Sequence, residues 1–325
     1  MDEFELIRRF FMRSGQFDPA DAGIWRGIGD DGAVTQLPAG EQLVTVMDTL
    51  VAGTHFCETD PSTSVGHRAL AVNLSDLAAM AAQPRWFTLS LSIPSIDEDW
   101  LAGFSAGLFA LADRYGIALI GGDTVHGPLA ATVTALGSVP AAAAIGRDGA
   151  GAGDIVCVTG GLGAAGFAWR AARAGQELAA NDPLLERLYY PSPRVSEGID
   201  LRGLATAMID LSDGLHADLT HLLEASGLGA DCDACAVPLF PELCERIGED
   251  AARPLGLDGG DDYELCFTVP AALLGRLAEV SANWACPYTP IGQTSPGSGL
   301  RWQCQGQPAI PPLHGFRHFT DRDHE

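Results

Sequence analysis

The residues in this sequence with the most obvious capacity for chemistry are aspartates set in or beside glycine-rich turns. They are Asp30 and Asp31 within Gly27–Gly32, Asp48 in a β-rich run, Asp123 in Gly121-Gly122-Asp123-Thr124, Asp210 with Asp213, and Asp261 with Asp262. Each alone is an ordinary turn or cap residue. Together they supply hard oxygen donors without an accompanying His/Cys set, the composition that suits Mg²⁺ bridging substrate phosphates. Asp76 differs in setting, because it lies in His67–Pro84, HRALAVNLSDLAAMAAQP, an apolar run of helical character. A carboxylate there is costly to desolvate unless something positive or several hydrogen bonds meet it. Asn73 and Asp76, at i and i+3, share a face. No Lys or Arg lies between Arg68 and Arg85. Two readings fit: a metal ion supplies the partner, or Ser75 or Asp76 caps a helix running from Leu77 to Gln83.

The 19 basic residues are all arginine. A chain without lysine has no Schiff-base or pyridoxal-phosphate chemistry, no Walker A lysine and no protein-kinase strand lysine. Phosphates would have to be neutralised by metal ions and a few arginines. The net charge of −23 repels nucleic acid and anionic membrane. The rival motif is Gly161-Leu162-Gly163-Ala164-Ala165-Gly166, which matches G-x-G-x-x-G between a strand and a helix and would suit a dinucleotide oxidoreductase. That reading requires a second strand ending in Asp or Glu about twenty residues on. Gln176–Tyr190 instead reads as helix and breaks at Pro191 and Pro193, so the glycines read as allowing close strand–helix packing. Cys232-Asp-Ala-Cys235 has no second pair or nearby histidines for zinc, and the eight cysteines read as reduced core residues. His314 and His318 stand beside a glycine and prolines, and no nucleophile elbow exists for a Ser-His-Asp triad.

Elements able to position these residues alternate between helix and strand. The reading has a helix over Asp2–Arg13, a strand over Leu43–Asp48, a β-rich run over Trp86–Ile93, a helix capped by Ser95-x-x-Glu98 and running to Tyr115, and strands at Ile117–Ile120 and Ala130–Val139. Pro140–Gly153 is small and flexible, which predicts two domains, residues 1–143 and 150–325. The second holds strands at Asp154–Thr159, Thr206–Asp210 and Tyr263–Val269, with helices near Ala164–Ala174, Leu215–Ala225 and Ala271–Ser281. The fold class is therefore α/β (α+β) in two domains. No transmembrane-length apolar run and an acidic N-terminus point to a cytoplasmic protein.

In order along the chain, Gly27-Ile28-Gly29-Asp30-Asp31, Asp48-Thr49-Leu50-Val51-Ala52-Gly53-Thr54-His55-Phe56, Ala71-Val72-Asn73-Leu74-Ser75-Asp76-Leu77-Ala78, Gly121-Gly122-Asp123-Thr124, Asp210-Leu211-Ser212-Asp213-Gly214-Leu215 and Gly259-Gly260-Asp261-Asp262-Tyr263-Glu264-Leu265 resemble the motifs of the thiamine-monophosphate kinase family. That family belongs to the superfamily of aminoimidazole ribonucleotide and selenophosphate synthetases. The resemblance implies an N-terminal α/β domain that dimerises through its sheet, a C-terminal α/β domain, and ATP held between them. It implies Mg²⁺ ligation, several ions in all, by Asp30, Asp48, Asp76, Asp123, Asp210 and Asp213, with Asp76 shared between ions. It also implies ATP contacts from Gly122, Asp123, Arg147 and Ser212, and contacts to thiamine monophosphate from His55, Asp261 and Phe316. The chain departs from the family twice. Val46 and Met47 stand where hydroxyl residues usually precede the strand aspartate, so only their backbone carbonyls can join the metal. Asp261 stands where the family usually has Glu. The sister synthetases share the metal logic, but selenophosphate synthetase normally carries a reactive Cys and a Lys in its N-terminal glycine-rich segment, and this chain has neither.

Overall fold

The structure, a computed structural model, describes residues 2–13 and 22–308. The chain forms two compact units, Met1–Leu77 with Ala82–Ala144, and Ala78–Ala81 with Ile145–Glu325. The first contains α1 (Glu3–Phe10), β1 (Ile24–Arg26), β2 (Val34–Thr35), β3 (Glu41–Val51), α2 (Ser62–Ala79, its last two residues counted with the second unit), β4 (Gln83–Ile93), α3 (Glu98–Tyr115), β5 (Ala118–His126) and β6 (Ala130–Pro140). The second contains β7 (Ile155–Thr159), α4 (Ala164–Arg173), α5 (Pro183–Tyr189), α6 (Val195–Asp200), β8 (Ala207–Asp210), α7 (Leu215–Ser226), β9 (Leu228–Asp233), α8 (Pro241–Ile247), α9 (Glu249–Asp258), β10 (Leu265–Val269), α10 (Leu274–Ser281), β11 (Tyr288–Pro296), β12 (Gly299–Cys304) and β13 (Gln307–Pro308). Among the described residues no helix is long and apolar enough to cross a membrane.

In the first unit the main sheet runs β3-β6-β4-β5, antiparallel except for the β4–β5 pair. β3 is its free edge and alternates: Val44 and Leu50 are buried, whereas Leu43 and Met47 are 49% and 64% exposed. Sequence reading ended this strand at Asp48 and placed Asp123 in a turn. Both instead lie inside strands, Asp48 opposite Val133 and Asp123 opposite Ser90. The β4–β5 register slips between Phe87 and Thr88, a bulge that lets β5 run on through Gly121 and Gly122. Gly122 is required there, because a Cβ would meet the Leu89 carbonyl carbon at 2.8 Å and its φ is +152°.

α2 crosses α3 at van der Waals contact of the two backbones. A Cβ on Gly66 would lie 2.8 Å from the Phe104 carbonyl carbon, and one on Gly107 would lie 2.7 Å from that of Thr63. The start of α3 differs from the expected capping box: Asp97 is the N-cap, its carboxylate accepting the N–H groups of Asp99 and Trp100, and Gly116 closes the helix in the left-handed region.

The second unit's sheet has the order β13-β12-β9-β11-β7-β10-β8, antiparallel apart from β9–β12 and so closer to α+β than to a parallel α/β sheet. Val156, Val158, Ile209 and Cys266 from its strands pack with Leu215, Leu219 and Leu222 of α7. The cysteines require one correction. Cys235 and Cys304 are joined as a disulfide with Cα atoms 5.2 Å apart, because the parallel β9–β12 pair brings positions 69 apart in sequence to one end of the sheet. Cys57, Cys157, Cys232, Cys244, Cys266 and Cys286 take part in no disulfide.

Candidate functional site

In the first unit Asp30, Asp31, Gly122 and Asp123 line one cavity of about 810 Å³, walled on another side by Phe4 and Met12. Asp30 is exposed, its Oδ2 accepting from Arg26 Nη1 at 2.7 Å and its Oδ1 from the Asp31 N–H. Exposed pairs of this kind contribute little to stability, so the arginine is exchangeable for a metal. Asp48 lies outside this cavity's lining, on the cross-strand row that runs through Val133 and Leu89 to Gly122. In an edge strand's antiparallel ladder alternate carbonyls face away from the partner, so one of Val46 and Met47 offers its carbonyl at the free edge of β3.

Asp76 corrects the capping alternative. α2 is one helix over Ser62–Ala79, so Asp76 sits in its last turn and neither Ser75 nor Asp76 can cap its start. The last turn carries the negative end of the helix dipole and no basic residue. A carboxylate is disfavoured there unless a cation offsets it. Asn73, one turn earlier and fully buried, donates to the Ala69 carbonyl but leaves its Oδ1 without a partner. An orphaned acceptor and a carboxylate at the negative helix end are a donor set that fits a hydrated divalent cation. His55 is half-buried, and its Nδ1 accepts the Val51 N–H at 2.9 Å, which fixes the neutral tautomer with the proton on Nε2. Arg68, almost wholly buried, donates to the His55 carbonyl and anchors that loop to α2.

The second unit gathers its chemistry at one edge of its sheet. β10 runs antiparallel to both β7 and β8, pairing Leu265 with Asp210 and Cys266 with Val158. The start of β10 therefore lies beside the ends of β7 and β8. This places Asp261, which precedes β10, next to Asp210–Asp213. Ser212 is exposed, Asp213 half-buried and Asp210 buried. α7 begins at Gly214 with no side-chain cap, and Asp218 in its first turn reaches back so that its Oδ2 accepts the N–H groups of Asp213 and Gly214, each at 3.1 Å. Burial, then the charges of Asp210 and Asp213, push the Asp218 carboxyl up to about 8. The repulsion that Asp218 feels from Asp210 and Asp213 is of the kind a cation would relieve. Among the described residues no three His, Cys, Asp or Glu converge closely enough to hold an ion unaided. Mg²⁺ characteristically takes one or two carboxylates and completes its shell with substrate phosphate and water. Arg147 is exposed, and its carbonyl accepts from Ser226 Oγ at 2.8 Å.

The loop before β10 is wound tightly. Gly260, Asp261 and Tyr263 have φ of +70°, +59° and +50°, and a non-glycine residue held left-handed costs roughly 1–2 kcal/mol. Cross-links hold it: Asp261 N–H to the Ser212 carbonyl at 2.8 Å, Tyr263 N–H to the Leu211 carbonyl at 2.9 Å, and Tyr263 Oη–H to Asp261 Oδ1 at 2.9 Å. Asp262, which the sequence offered as a site residue alongside Asp261, is buried, and both its oxygens accept the Gly163 N–H, at 3.0 and 3.1 Å. Burial raises its carboxyl well above the usual range.

That bond also decides the rival motif. The N-cap amide of α4, at the helix start that a dinucleotide pyrophosphate would need, is taken by Asp262. A Cβ on Gly163 would stand 2.8 Å from Gly256 N, and one on Gly166 would stand 2.6 Å from Gly259 Cα. These glycines let α4 pack on α9 and its C-terminal end; the close packing is helix on helix, not strand on helix. Beneath them Glu264, fully buried, accepts from Arg194 at 2.5 and 2.6 Å, Arg187 at 2.7 Å and Thr159 Oγ1 at 2.8 Å. Burial alone would raise the Glu264 carboxyl, but the hydrogen bonds and charge of Arg194, with the charge of Arg187, hold it below its ordinary value.

Residues 29–139 match the family described as AIR synthase related protein, N-terminal domain, and residues 151–305 match AIR synthase related protein, C-terminal domain. Over 325 residues and 98% of both chains, the sequence is 44% identical to the thiamine-monophosphate kinase of Salmonella typhimurium. The chain belongs to the thiamine-monophosphate kinase family. Its fold superposes on the crystal structure of thiamine-monophosphate kinase from Stenotrophomonas maltophilia with a TM-score of 0.83 at 43% identity, covering 94% of this chain and 96% of that one. It also superposes on AaThiL complexed with AMPPCP and TMP, with a TM-score of 0.75 at 29% identity, covering 90% and 92%.

Set against the kinase family's motifs, Asp30, Gly122 and Asp123 are brought into one cavity, and Asp210, Ser212, Asp213 and Asp261 to one sheet edge. Phe316 lies outside the described residues, as do His314 and His318. Sequence reasoning passed over Asp218 and Tyr263. Asp218 carries the signal already used for Asp76, a carboxylate on an apolar helix face in Leu215–Leu223, whereas the partner of Tyr263 is visible only in three dimensions.

Proposed function

We propose that this chain, as an ATP- and Mg²⁺-dependent thiamine-monophosphate kinase, transfers the γ-phosphoryl group of ATP to the phosphate of thiamine monophosphate, giving thiamine diphosphate and ADP. The observation that carries this reading is full-length identity of 44% to a thiamine-monophosphate kinase, with each aspartate motif in place. The acceptor is a phosphate monoester whose second pKa is near 6, so its attacking oxygen is already anionic and no general base is required. The difficulty lies in bringing two polyanions together in line. In a chain without lysine, Asp30, Asp48, Asp76 and Asp123 of the first unit, with a carbonyl of Val46 or Met47, and Asp210 and Asp213 of the second, would hold Mg²⁺. Bound there, Mg²⁺ supplies the positive charge that offsets the phosphates. Gly122, Asp123, Arg147 and Ser212 would meet ATP. His55 would offer its Nε2–H to the acceptor phosphate, Asp261 its carboxylate to the cationic heterocycle, and Phe316 a stacking face.

The exposed face of β3 carrying Leu43 and Met47 supports pairing of two copies through this sheet as a homodimer. Use of ATP as the donor supports a cytoplasmic location. The test is a coupled ADP assay with each acceptor in turn. ADP release should depend on thiamine monophosphate and on Mg²⁺, and should not occur with free thiamine, which lacks the anionic oxygen. Comparable turnover of free thiamine, or no response to thiamine monophosphate, refutes the assignment.

A further inference from the structure

The main chain of the loop before β10 is fixed on two sides, by Leu211 and Ser212 of the turn that carries Asp213, and by the Gly163 amide gripping Asp262. What this leaves to be set is the direction of the Asp261 carboxylate. Asp261 is half-buried, and its side chain is short. Tyr263 is 7% exposed, so packing holds its ring, and its hydroxyl donates to Asp261 Oδ1 at 2.9 Å. Both residues are left-handed, with φ of +59° and +50°, and it is in this tightly wound loop that the phenol meets the carboxylate two residues before it.

We infer that Tyr263 is the positioning residue for acceptor recognition: it fixes the plane and direction of the Asp261 carboxylate that receives the cationic heterocycle. This rests on the reading of Asp261 as an acceptor contact. A free aspartate on a loop would lose rotamer freedom on binding, whereas one already held by a phenol presents its charge preorganised. The Tyr263 hydroxyl is committed to Asp261 Oδ1. Its removal therefore acts through Asp261 and on one substrate.

The experiment is steady-state kinetics on Tyr263→Phe, Asp261→Asn and the double variant, with ATP and thiamine monophosphate varied separately and melting temperatures recorded. A hydrogen bond to a charged group sets the scale, so Tyr263→Phe should raise the KM for thiamine monophosphate about tenfold. Its KM for ATP, its kcat and its melting temperature should stay close to those of the parent. The double variant should bind the acceptor no worse than Asp261→Asn alone, because Tyr263 works through that carboxylate. Equal movement of both KM values, an unchanged acceptor KM beside an effective Asp261→Asn, or additive losses in the double variant would overturn the role of Tyr263. An ineffective Asp261→Asn would instead overturn the acceptor reading of Asp261, with the kinase activity itself intact. Should Tyr263→Phe melt well below the parent, calorimetric titration of the folded variant with thiamine monophosphate, and separately with Mg²⁺ and ADP, decides the same question: selective loss of acceptor affinity supports the inference and joint loss refutes it.

Discussion

Replacing Gly66 by alanine should damage this protein more than its single methyl group suggests. The added Cβ on α2 would lie 2.8 Å from the Phe104 carbonyl carbon, 3.0 Å from Leu108 N and closer still to the Phe104 oxygen, where ordinary contact begins at 3.4 Å. All three atoms are α3 backbone, which cannot rotate out of the way. The helices would have to part by roughly 1 Å, forfeiting a quarter to a half of the dispersion well for the side chains packed across the crossing. Overpacking one methylene costs about 1–3 kcal/mol when side chains can adjust, so a rigid clash belongs at or above the upper end. Alanine's better helix propensity returns up to about 1 kcal/mol. A net loss of about 3 kcal/mol, or roughly 10 °C in Tm by thermal melting, is expected. Gly103→Ala is the control: the one atom its Cβ would clash with is the Ser62 hydroxyl, the movable end of a side chain, its other neighbours lying at ordinary contact, and it should be near neutral. Gly107→Ala should resemble Gly66→Ala, since its Cβ would face the Thr63 carbonyl. Separating the helices once relieves both clashes, so the double variant should lose much less than the sum. Because α2 carries Asp76, surviving Gly66→Ala enzyme should also turn over more slowly. If Gly66→Ala melts with Gly103→Ala, or if Gly66 and Gly107 add fully, the crossing is not the rigid contact described.

Asp76→Asn should abolish turnover with the fold intact, whereas Asp31→Asn should be mild; equal small losses in the ADP assay would return Asp76 to a structural role. Mg²⁺ with a non-hydrolysable ATP analogue should raise the Tm by mass action, and EDTA alone should not lower it; unfolding by the chelator would make the metal structural. Glu264→Gln leaves Arg194 and Arg187 without their shared carboxylate and should cost about 3–5 kcal/mol in chemical denaturation, a loss near zero contradicting the buried network. Asp262 has its folded pKa raised by burial, so its contribution to stability is fully present below the unfolded value near 3.9 and is lost as pH rises through the folded value. Asp262→Asn keeps an acceptor for the Gly163 amide without that titration, so its Tm relative to the parent should climb with pH from about 4 upward, and a flat difference would refute the reading.

What the sequence disclosed of this site was local in origin. Aspartates in glycine turns are recognisable from residue type alone, and the solvation cost of a charge on an apolar helix marked Asp76 without any knowledge of its surroundings. The features that sequence reading missed or misplaced depend on contacts far along the chain. β5 continues past Ile120 because Gly122 can pass the Leu89 carbonyl, and a turn-like Gly-Gly-Asp triplet is thereby drawn into a strand. Cys235 and Cys304 pair because β12 lies parallel to β9.

The glycine fingerprint shows why local pattern was insufficient. Gly161–Gly166 has the spacing that suits a pyrophosphate, and the helix does follow the strand. What an amide at a helix start binds is decided by whatever reaches it, and here Asp262, 99 residues later, reaches it first. The same loop turns one aspartate inward to hold the fold and leaves its neighbour, Asp261, aimed by Tyr263. Two adjacent aspartates of one glycine turn thus differ in setting, Asp262 buried on the Gly163 amide and Asp261 half-buried beside the Tyr263 hydroxyl, a division made by burial and backbone winding, not by side-chain type.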